Sequence, residues 1–180
     1  DLSVVAGHEI MAIYATDFSA KAKGDLTPVT EADEAAEKII LAGLARATRG
    51  SVTVMGHDVV SDYAQARRSL GIVPQELVFD PFFSVRECLR IQSGYFGIRK
   101  NDAWIDELLA GLGLADKAEV NMRQLSGGMK RRLSIARALI NDPEFIMLDE
   151  PTTGLDPQVR HLIWTRLRKL KASGKTLLLT

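Results

Sequence analysis

Apolar and polar positions change their spacing near residue 49 of this chain. Before that point apolar residues recur at helical intervals, and one stripe comprises Ala36, Ile39, Ile40, Gly43 and Leu44. After it, short apolar runs of strand length are separated by longer helical patterns. The pattern predicts an α-helical N-terminal segment, residues 1–48, followed by an α/β domain, residues 49–180.

Three apolar runs in the second part predict the strands of a sheet, at residues 71–74, 145–149 and 176–180. Because these runs alternate with helical patterns, we expect parallel strands with helices on both faces, a three-layer α/β core. The long helical pattern from about residue 84 to 140 predicts a helical subdomain inserted between the first two strands.

Composition narrows the class of protein. The 180 residues are 46% hydrophobic and 26% charged, which is typical of a folded globular chain. The net charge is zero, so nothing favours a nucleic-acid partner, and the basic residues 130–132 are interpreted as a solvated helix face. No apolar stretch approaches the roughly 18 residues of a membrane span, which predicts a cytosolic chain.

Two carboxylates, Asp149 and Glu150, directly follow the second apolar run. Ligands of open parallel sheets bind at the carboxyl ends of the strands. There Asp149 is a candidate Mg²⁺ ligand, and Glu150 is a candidate for orienting or deprotonating an attacking water. Taken alone, an acidic pair after a strand is more often a solvated strand end.

A hydroxyl residue and two glycines, Ser126, Gly127 and Gly128, precede a predicted helix. Small residues there leave backbone N–H groups accessible at the positive end of the helix, which favours anion binding. Ser126 is also a good helix cap on any interpretation. Gln75 ends the first strand, where its amide can reach a metal-bound water, and residues 154–157 form a turn with proline at the first helical position.

Taken together and in order, these motifs resemble the ABC ATPase family. Residues 73–75, 125–128, 148–152 and 154–156 are similar to its Q-loop, signature, Walker B motif and D-loop. The resemblance covers about residues 49–180 and implies a P-loop NTPase-type core. Residues 74–80 resemble exporters of the drug or polyketide type.

The resemblance implies a role for each matching residue, with ATP and Mg²⁺ as cofactors. Gln75 would sense magnesium and the membrane partner, and Asp149 would serve Mg²⁺. Glu150 would act on the attacking water, and Asp156 would lie at the dimer seam. Residues 126–128 would contact the γ-phosphate of ATP held by a second ATP-binding subunit in a head-to-tail dimer. A transmembrane permease would hold the chain at the inner face of the cell membrane.

One element of that family is missing from the sequence. The phosphate loop, G-x-x-x-x-G-K-[ST], should precede the Q-loop by some tens of residues, and no such run occurs there. Residues 174–176 read Gly-Lys-Thr but join a predicted helix to a strand, so we interpret them as a cap turn. The family's switch histidine would follow Thr180. We therefore expect an incomplete core that is inactive alone.

The first segment resembles another family. Residues 13–18 and 27–33 are similar to the start of an inositol-monophosphatase-like phosphatase, closest to the bisphosphate nucleotidase branch. Its metal-binding acidic motifs do not follow. We expect a fragment in which two unrelated sequences join near residues 48–50, through an artefact or a truncated gene. A non-catalytic interaction module and a remnant of a magnesium-dependent phosphatase remain alternatives.

Overall fold

The computed structural model describes residues 50–77 and 80–179. The chain divides into two compact units, Asp1–Leu70 and Gly71–Thr180. The helical segment predicted for residues 1–48, with its phosphatase-like motifs, lies outside the described residues.

Within the first unit, the described residues begin with a β-hairpin. Strands β1 (Thr53–Val54) and β2 (His57–Asp58) pair antiparallel, with Val54 opposite His57. The two residues between them, Met55 and Gly56, both have positive φ, 50° and 82°, as a two-residue type I′ turn requires. The hairpin is followed by helix α1 (Tyr63–Arg68).

The second unit is built on a three-stranded sheet in the order β3 (Leu70–Val73), β4 (Phe145–Leu148) and β5 (Thr176–Leu179). Strands β4 and β5 are parallel, with Phe145 opposite Thr176. All four residues of β4 are buried, as expected for a strand covered on both faces. The predicted strands are therefore confirmed to within one residue over the described part of the chain, and so is the α/β fold class.

The helices of this unit match the predicted subdomain. The long ones are α2 (Val85–Tyr95), α3 (Asp102–Gly111), α4 (Gly127–Ala138) and α5 (Pro157–Ala172). Two short 3₁₀ turns lie between α3 and α4, at Ala115–Lys117 and Met122–Gln124. Helices α2, α3 and α4 occupy the region from residue 84 to 140 that the sequence assigned to an inserted helical subdomain. Among the described residues, no helix is both long and apolar enough to cross a bilayer.

Side-chain caps fix where the helices begin. At α2 the Ser84 hydroxyl accepts from the Glu87 backbone N–H, and the Glu87 carboxylate accepts from the Ser84 backbone N–H at 2.8 Å, a capping box. Ser126 caps α4 and Asp156 caps α5, each through its side-chain oxygen. The sequence thus sets the start of α4 and α5, the two helices that border the candidate site.

One continuous hydrophobic core joins the sheet to the helices. It includes fully buried residues from the helical subdomain and the sheet, among them Leu89, Ile105, Leu108, Ile135, Ile146 and Leu148. Burying each such side chain contributes about 1.5–3 kcal/mol of transfer free energy. The helical subdomain and the sheet therefore fold as parts of one unit.

Close packing and polar contacts hold the subdomain against the sheet. A Cβ at Gly71 would lie 2.4 Å from the carbonyl oxygen of Ala138, so β3 approaches the end of α4 as only glycine permits. The Trp104 indole N–H donates to the Leu139 carbonyl at 3.0 Å, and the Asn101 amide donates to the Ile140 carbonyl at 3.1 Å. These contacts fix the connection that leads from α4 into β4.

The Gly-Lys-Thr run at residues 174–176 is a helix cap, as predicted. Gly174 has φ of 91°, and its N–H donates to the Lys171 carbonyl at the end of α5. The Lys175 ammonium is bound to the Asp142 carboxylate at 3.0 Å. The run therefore connects α5 to β5 and is not a phosphate loop.

Candidate functional site

The carboxyl ends of β3 and β4 bring two predicted site residues into contact. The Asp149 backbone N–H donates to the Val73 carbonyl at 3.0 Å, which extends the pairing of the two strands by one residue. Just beyond, the Gln75 side-chain amide donates to the Glu150 carboxylate at 3.4 Å. Both side chains belong to exposed residues, whereas Asp149 is half-buried. Gln75 and Glu150 therefore share one edge of the sheet.

Glu150 has an uncommon backbone conformation. Its φ is 42°, in the left-handed region that non-glycine residues seldom occupy. Such a conformation costs on the order of 1–3 kcal/mol and persists only where surrounding contacts hold it. Nothing in the sequence indicates it, because glycine is the residue expected at positive φ.

The signature residues form the exposed N-terminus of α4. The Ser126 hydroxyl accepts from the Met129 N–H at 3.3 Å, and α4 begins at Gly127. The first N–H groups of a helix have no intrahelical acceptor and carry the positive end of its dipole. A Cβ placed on Gly127 would meet no atom within 4 Å. This end of α4 thus has the open N–H groups that an anion site needs, and anion binding there stays a prediction.

A cavity of about 290 Å³ lies between the end of α4 and the ends of β3 and β4. Its lining is formed by Gln75, Leu77, Gly127, Gly128, Arg131, Glu150, Thr153, Gly154 and Leu155. The volume is at the bottom of the range of roughly 300–1,000 Å³ for small-molecule sites. Four predicted site residues therefore face one space, while Ser126, Asp149 and Asp156 lie outside its lining.

Arg131 lies at the centre of this site, and the sequence interpretation missed it. The residue is only 5% exposed, so its assignment to a solvated helix face is wrong. Its guanidinium donates to five backbone carbonyls, those of Pro74, Gln75, Asp149, Glu150 and Pro151. The nitrogen–oxygen distances are 3.1 Å to Gln75, 2.6 Å to Asp149 and 3.2 Å to Pro151. A guanidinium has five N–H donors, and here each has an acceptor.

The position of Arg131 on its helix was a usable signal. It lies one turn before Ile135, a core residue, so helical spacing places it on the buried face of α4. Burial lowers the pKa of Arg131, and the negative charges of Asp149 and Glu150 oppose that shift. Because an arginine in a protein does not lose its proton, the site has one permanent buried positive charge.

The residues present fit a phosphate and a magnesium ion. Magnesium in nucleotide sites takes one or two carboxylates, phosphate oxygens and waters, and Asp149 and Glu150 provide adjacent carboxylates. Over the described residues, no group of three or more metal-ligating side chains occurs. The cavity next to the α4 N-terminus suits an anionic group. Magnesium would therefore depend on the phosphates for the rest of its ligands.

Asp156 has a structural contact that the sequence only suggested. Its carboxylate accepts from the Val159 N–H at 2.9 Å and caps α5, with Pro157 at the first helical position. The residue is exposed, and so is His161 farther along the helix.

Comparison with known proteins places most of the chain in one family. The family model described as ABC transporter matches residues 39–153. Nod factor export ATP-binding protein I of Cupriavidus pinatubonensis (strain JMP 134 / LMG 1197) is 51% identical over 143 residues, covering 78% of this chain and 44% of that protein. The protein of the same name from Bradyrhizobium sp. (strain SNU001) is 52% identical over 143 residues, covering 78% and 47%.

Structural similarity points the same way. A solved structure described as "Structure of ATP binding subunit of ABC transporter" superposes with a TM-score of 0.75 at 25% identity, covering 82% of this chain and 62% of that chain. This chain spans about half the length of the curated relatives it matches. The family match starts at residue 39, ten positions before the predicted domain start at residue 49. The family model matches more than half of the residues of this chain. The chain therefore belongs to the ABC transporter family and contains an ATP-binding domain of that family.

Proposed function

We propose that this chain is an ATP-binding subunit of an ABC transporter in partial form, which completes a nucleotide site held mainly by a second ATP-binding subunit. In a head-to-tail dimer, Ser126, Gly127 and Gly128 would contact the γ-phosphate of that subunit's ATP. The observation that supports this most directly is the end of α4, capped by Ser126 and open in front of Gly127. An anion can approach those N–H groups without displacing any side chain.

The residues at the sheet edge would serve a nucleotide bound to this chain itself, and not the ATP that the second subunit holds. Asp149 and the Gln75 amide oxygen would hold magnesium, which neutralises phosphate charge when bound. Glu150 would orient the attacking water and accept its proton. The contact between Gln75 and Glu150 supports a shared task, because a shift of either side chain changes the position of the other.

The missing phosphate loop decides what the chain does alone. A triphosphate requires a cradle of backbone N–H groups and a lysine around its β and γ phosphates. No such loop occurs between residue 1 and Gln75. Carboxylates at the sheet edge would repel an unneutralised triphosphate. The isolated chain therefore has negligible ATPase activity.

An export role follows from the type of relative. The two relatives above are named for Nod factor export. The residues of the site described here bind nucleotide and not cargo, so the similarity supports an exporter type without naming the cargo. The chain would work at the cytoplasmic face of the membrane, attached through a permease subunit.

The domain boundary is best placed upstream of residue 39. The family match starts there, inside the segment that resembles a phosphatase. A join before Ile39 leaves the strand and turn at residues 53–58 within the ATP-binding domain, and it shortens the N-terminal fragment. Independent sequencing of the genomic DNA across codons 30 to 55 would show whether the join exists in the gene.

ATP turnover separates the proposal from its alternatives. The purified chain should release no phosphate above background, and phosphate release should appear when an intact ATP-binding subunit with a disabled signature is added. Turnover by the chain alone that Glu150→Gln abolishes would overturn the partial assignment. If the two subunits associate but the mixed complex does not hydrolyse ATP, the proposed contact of residues 126–128 with the γ-phosphate would be overturned.

A non-catalytic interaction module is the second candidate. Two large aromatic side chains are exposed, Phe82 at 77% just before the helical subdomain and Tyr95 at 80% within it. Exposed aromatic residues are enriched at protein interfaces. This alternative predicts co-purification with a permease that does not depend on nucleotide and persists after Gly127→Ala, together with no turnover in any mixture.

A further inference from the structure

We propose that Arg131 is a positioning residue, which fixes the Gln75 and Glu150 loops to the helix that begins with the signature. The proposal rests on the proposed function for its catalytic meaning, but its structural part stands by itself. One side chain of α4 contacts the backbone after β3 and the backbone after β4. The signature and the strand ends are thereby held at one fixed distance.

The first support is that the guanidinium matches its surroundings completely. Its Nη1 bonds the carbonyls after β3, its Nη2 bonds two carbonyls after β4, and its Nε bonds Pro151. A buried charge is tolerated only when its hydrogen-bonding groups all have partners, as they do here. A residue that only filled space in the core would not need five carbonyl acceptors. The arrangement is thus specific to arginine.

The second support is the strained backbone at Glu150. The carbonyls of Asp149 and Glu150, on either side of the left-handed φ of 42°, both accept from Nη2 of Arg131. These bonds to a charged donor are strong enough to offset the cost of that conformation. Removing them should let Glu150 relax to an ordinary φ and move its carboxylate away from Gln75.

Lysine cannot replace this arginine. An ammonium has three donors on one atom and cannot span carbonyls from two loops as a planar guanidinium does. Arg131→Lys keeps the positive charge and most of the side-chain volume but loses the planar arrangement of N–H donors. Arg131→Met removes the charge as well. Comparison of the two variants therefore separates the effect of the positive charge from the effect of the guanidinium geometry.

Amide hydrogen exchange of the purified chain tests the structural part. The informative amides are those of Asp149 and Thr153, which donate to the carbonyls of Val73 and Glu150. Both Arg131 variants should speed exchange at these amides by about tenfold or more, the effect of losing charged hydrogen bonds. The amides of Leu112 and Gly113 in the helical subdomain should keep their rates, which shows that the chain remains folded.

Arg166 provides a matched control. It is a half-buried arginine of the same unit, but it lies over the Trp104 ring at 6.0 Å and next to Glu107. Arg166→Met should leave the Asp149 and Thr153 amides as in the wild type. Unchanged exchange in both Arg131 variants would overturn the proposal, and so would exchange that rises equally at all four amides. If Arg131→Met fails to fold, Arg131→Lys decides the question.

Turnover in the mixed complex tests the catalytic meaning. Because the second subunit's phosphate loop supplies most of the binding energy for ATP, Arg131→Lys should lower kcat by about tenfold or more with little change in KM. An unchanged kcat, or a loss confined to KM, would overturn the positioning role. A wild-type mixed complex without turnover would defeat the proposed function instead, and the exchange result would still decide whether Arg131 holds the two loops.

Discussion

Gln75 and Glu150 are 75 positions apart in the chain, yet the Gln75 amide lies 3.4 Å from the Glu150 carboxylate. The adjacency of β3 and β4 creates this contact, because each residue follows the end of its strand. The residue assigned to sensing magnesium and the membrane partner therefore contacts the residue assigned to the attacking water. A movement of the loop that carries Gln75 would therefore displace the Glu150 carboxylate.

Gly127→Ala should separate anion binding from stability. A Cβ at Gly127 meets no atom within 4 Å, so the free energy of unfolding should change by less than about 0.5 kcal/mol. The methyl group occupies the space that an anion needs at the α4 N-terminus. Turnover in the mixed complex should fall by about 100- to 1,000-fold, the range seen when one oxyanion donor is lost.

Gly94→Ala is the matched control for that substitution. A Cβ at Gly94 also meets no atom within 4 Å, but this glycine lies inside α2. Alanine there should stabilise the chain by about 0.5–1 kcal/mol and leave turnover unchanged. Equal turnover in the Gly127→Ala and wild-type mixed complexes would contradict the anion site.

Glu87→Gln should change the pH dependence of stability. The Ser84 backbone N–H, and then its hydroxyl, hydrogen-bond the Glu87 carboxylate and hold its pKa below the ordinary value. Because the folded-state pKa is depressed, the stabilisation is fully present above the unfolded pKa of about 4.3. It is lost as the pH falls through the lower folded pKa. The urea midpoint of the wild type should exceed that of the variant at pH 7, and the two should converge in acid.

A double-mutant comparison identifies the source of this effect. Ser84→Ala removes the hydrogen bond from the Ser84 hydroxyl to the Glu87 carboxylate. In that background, Glu87→Gln should therefore change the free energy of unfolding less at neutral pH than it does in the wild type. A gap that stays constant from pH 7 down to about pH 3 would show that the capping box makes no proton-linked contribution.

The sequence predicts the strands of the second unit well because their apolar runs are unambiguous. Strand β4 is buried at all four positions, and a run of four apolar residues followed by Asp149 leaves little choice of boundary. Helix starts were also accessible, since Ser84, Ser126 and Asp156 are good cap residues. These features depend on short-range chemistry, which a sequence displays directly.

The role of Arg131 and the backbone of Glu150 depend on long-range contacts. The carbonyls that Arg131 binds come from two loops about 75 positions apart in the chain. Charge and composition place an arginine in solvent by default, and only tertiary structure can provide five acceptors for a buried one. The left-handed φ of Glu150 could not be predicted from the sequence for the same reason. The hydrogen bonds that stabilise it come from Arg131 on α4.

Asp156 allows a test that separates a dimer contact from a helix cap. Asparagine can cap α5 as aspartate does, so Asp156→Asn should keep most of the stability, whereas Asp156→Ala should cost about 0.5–2 kcal/mol. If the exposed carboxylate also lies at the seam with a second subunit, both variants should weaken ATP-dependent association of the mixed complex. Analytical ultracentrifugation with labelled chain measures that association. The alternative outcome is wild-type association for Asp156→Asn and weaker association only for the destabilised Asp156→Ala. That result would restrict Asp156 to capping, because an asparagine side chain can still cap the helix but cannot make a charged contact.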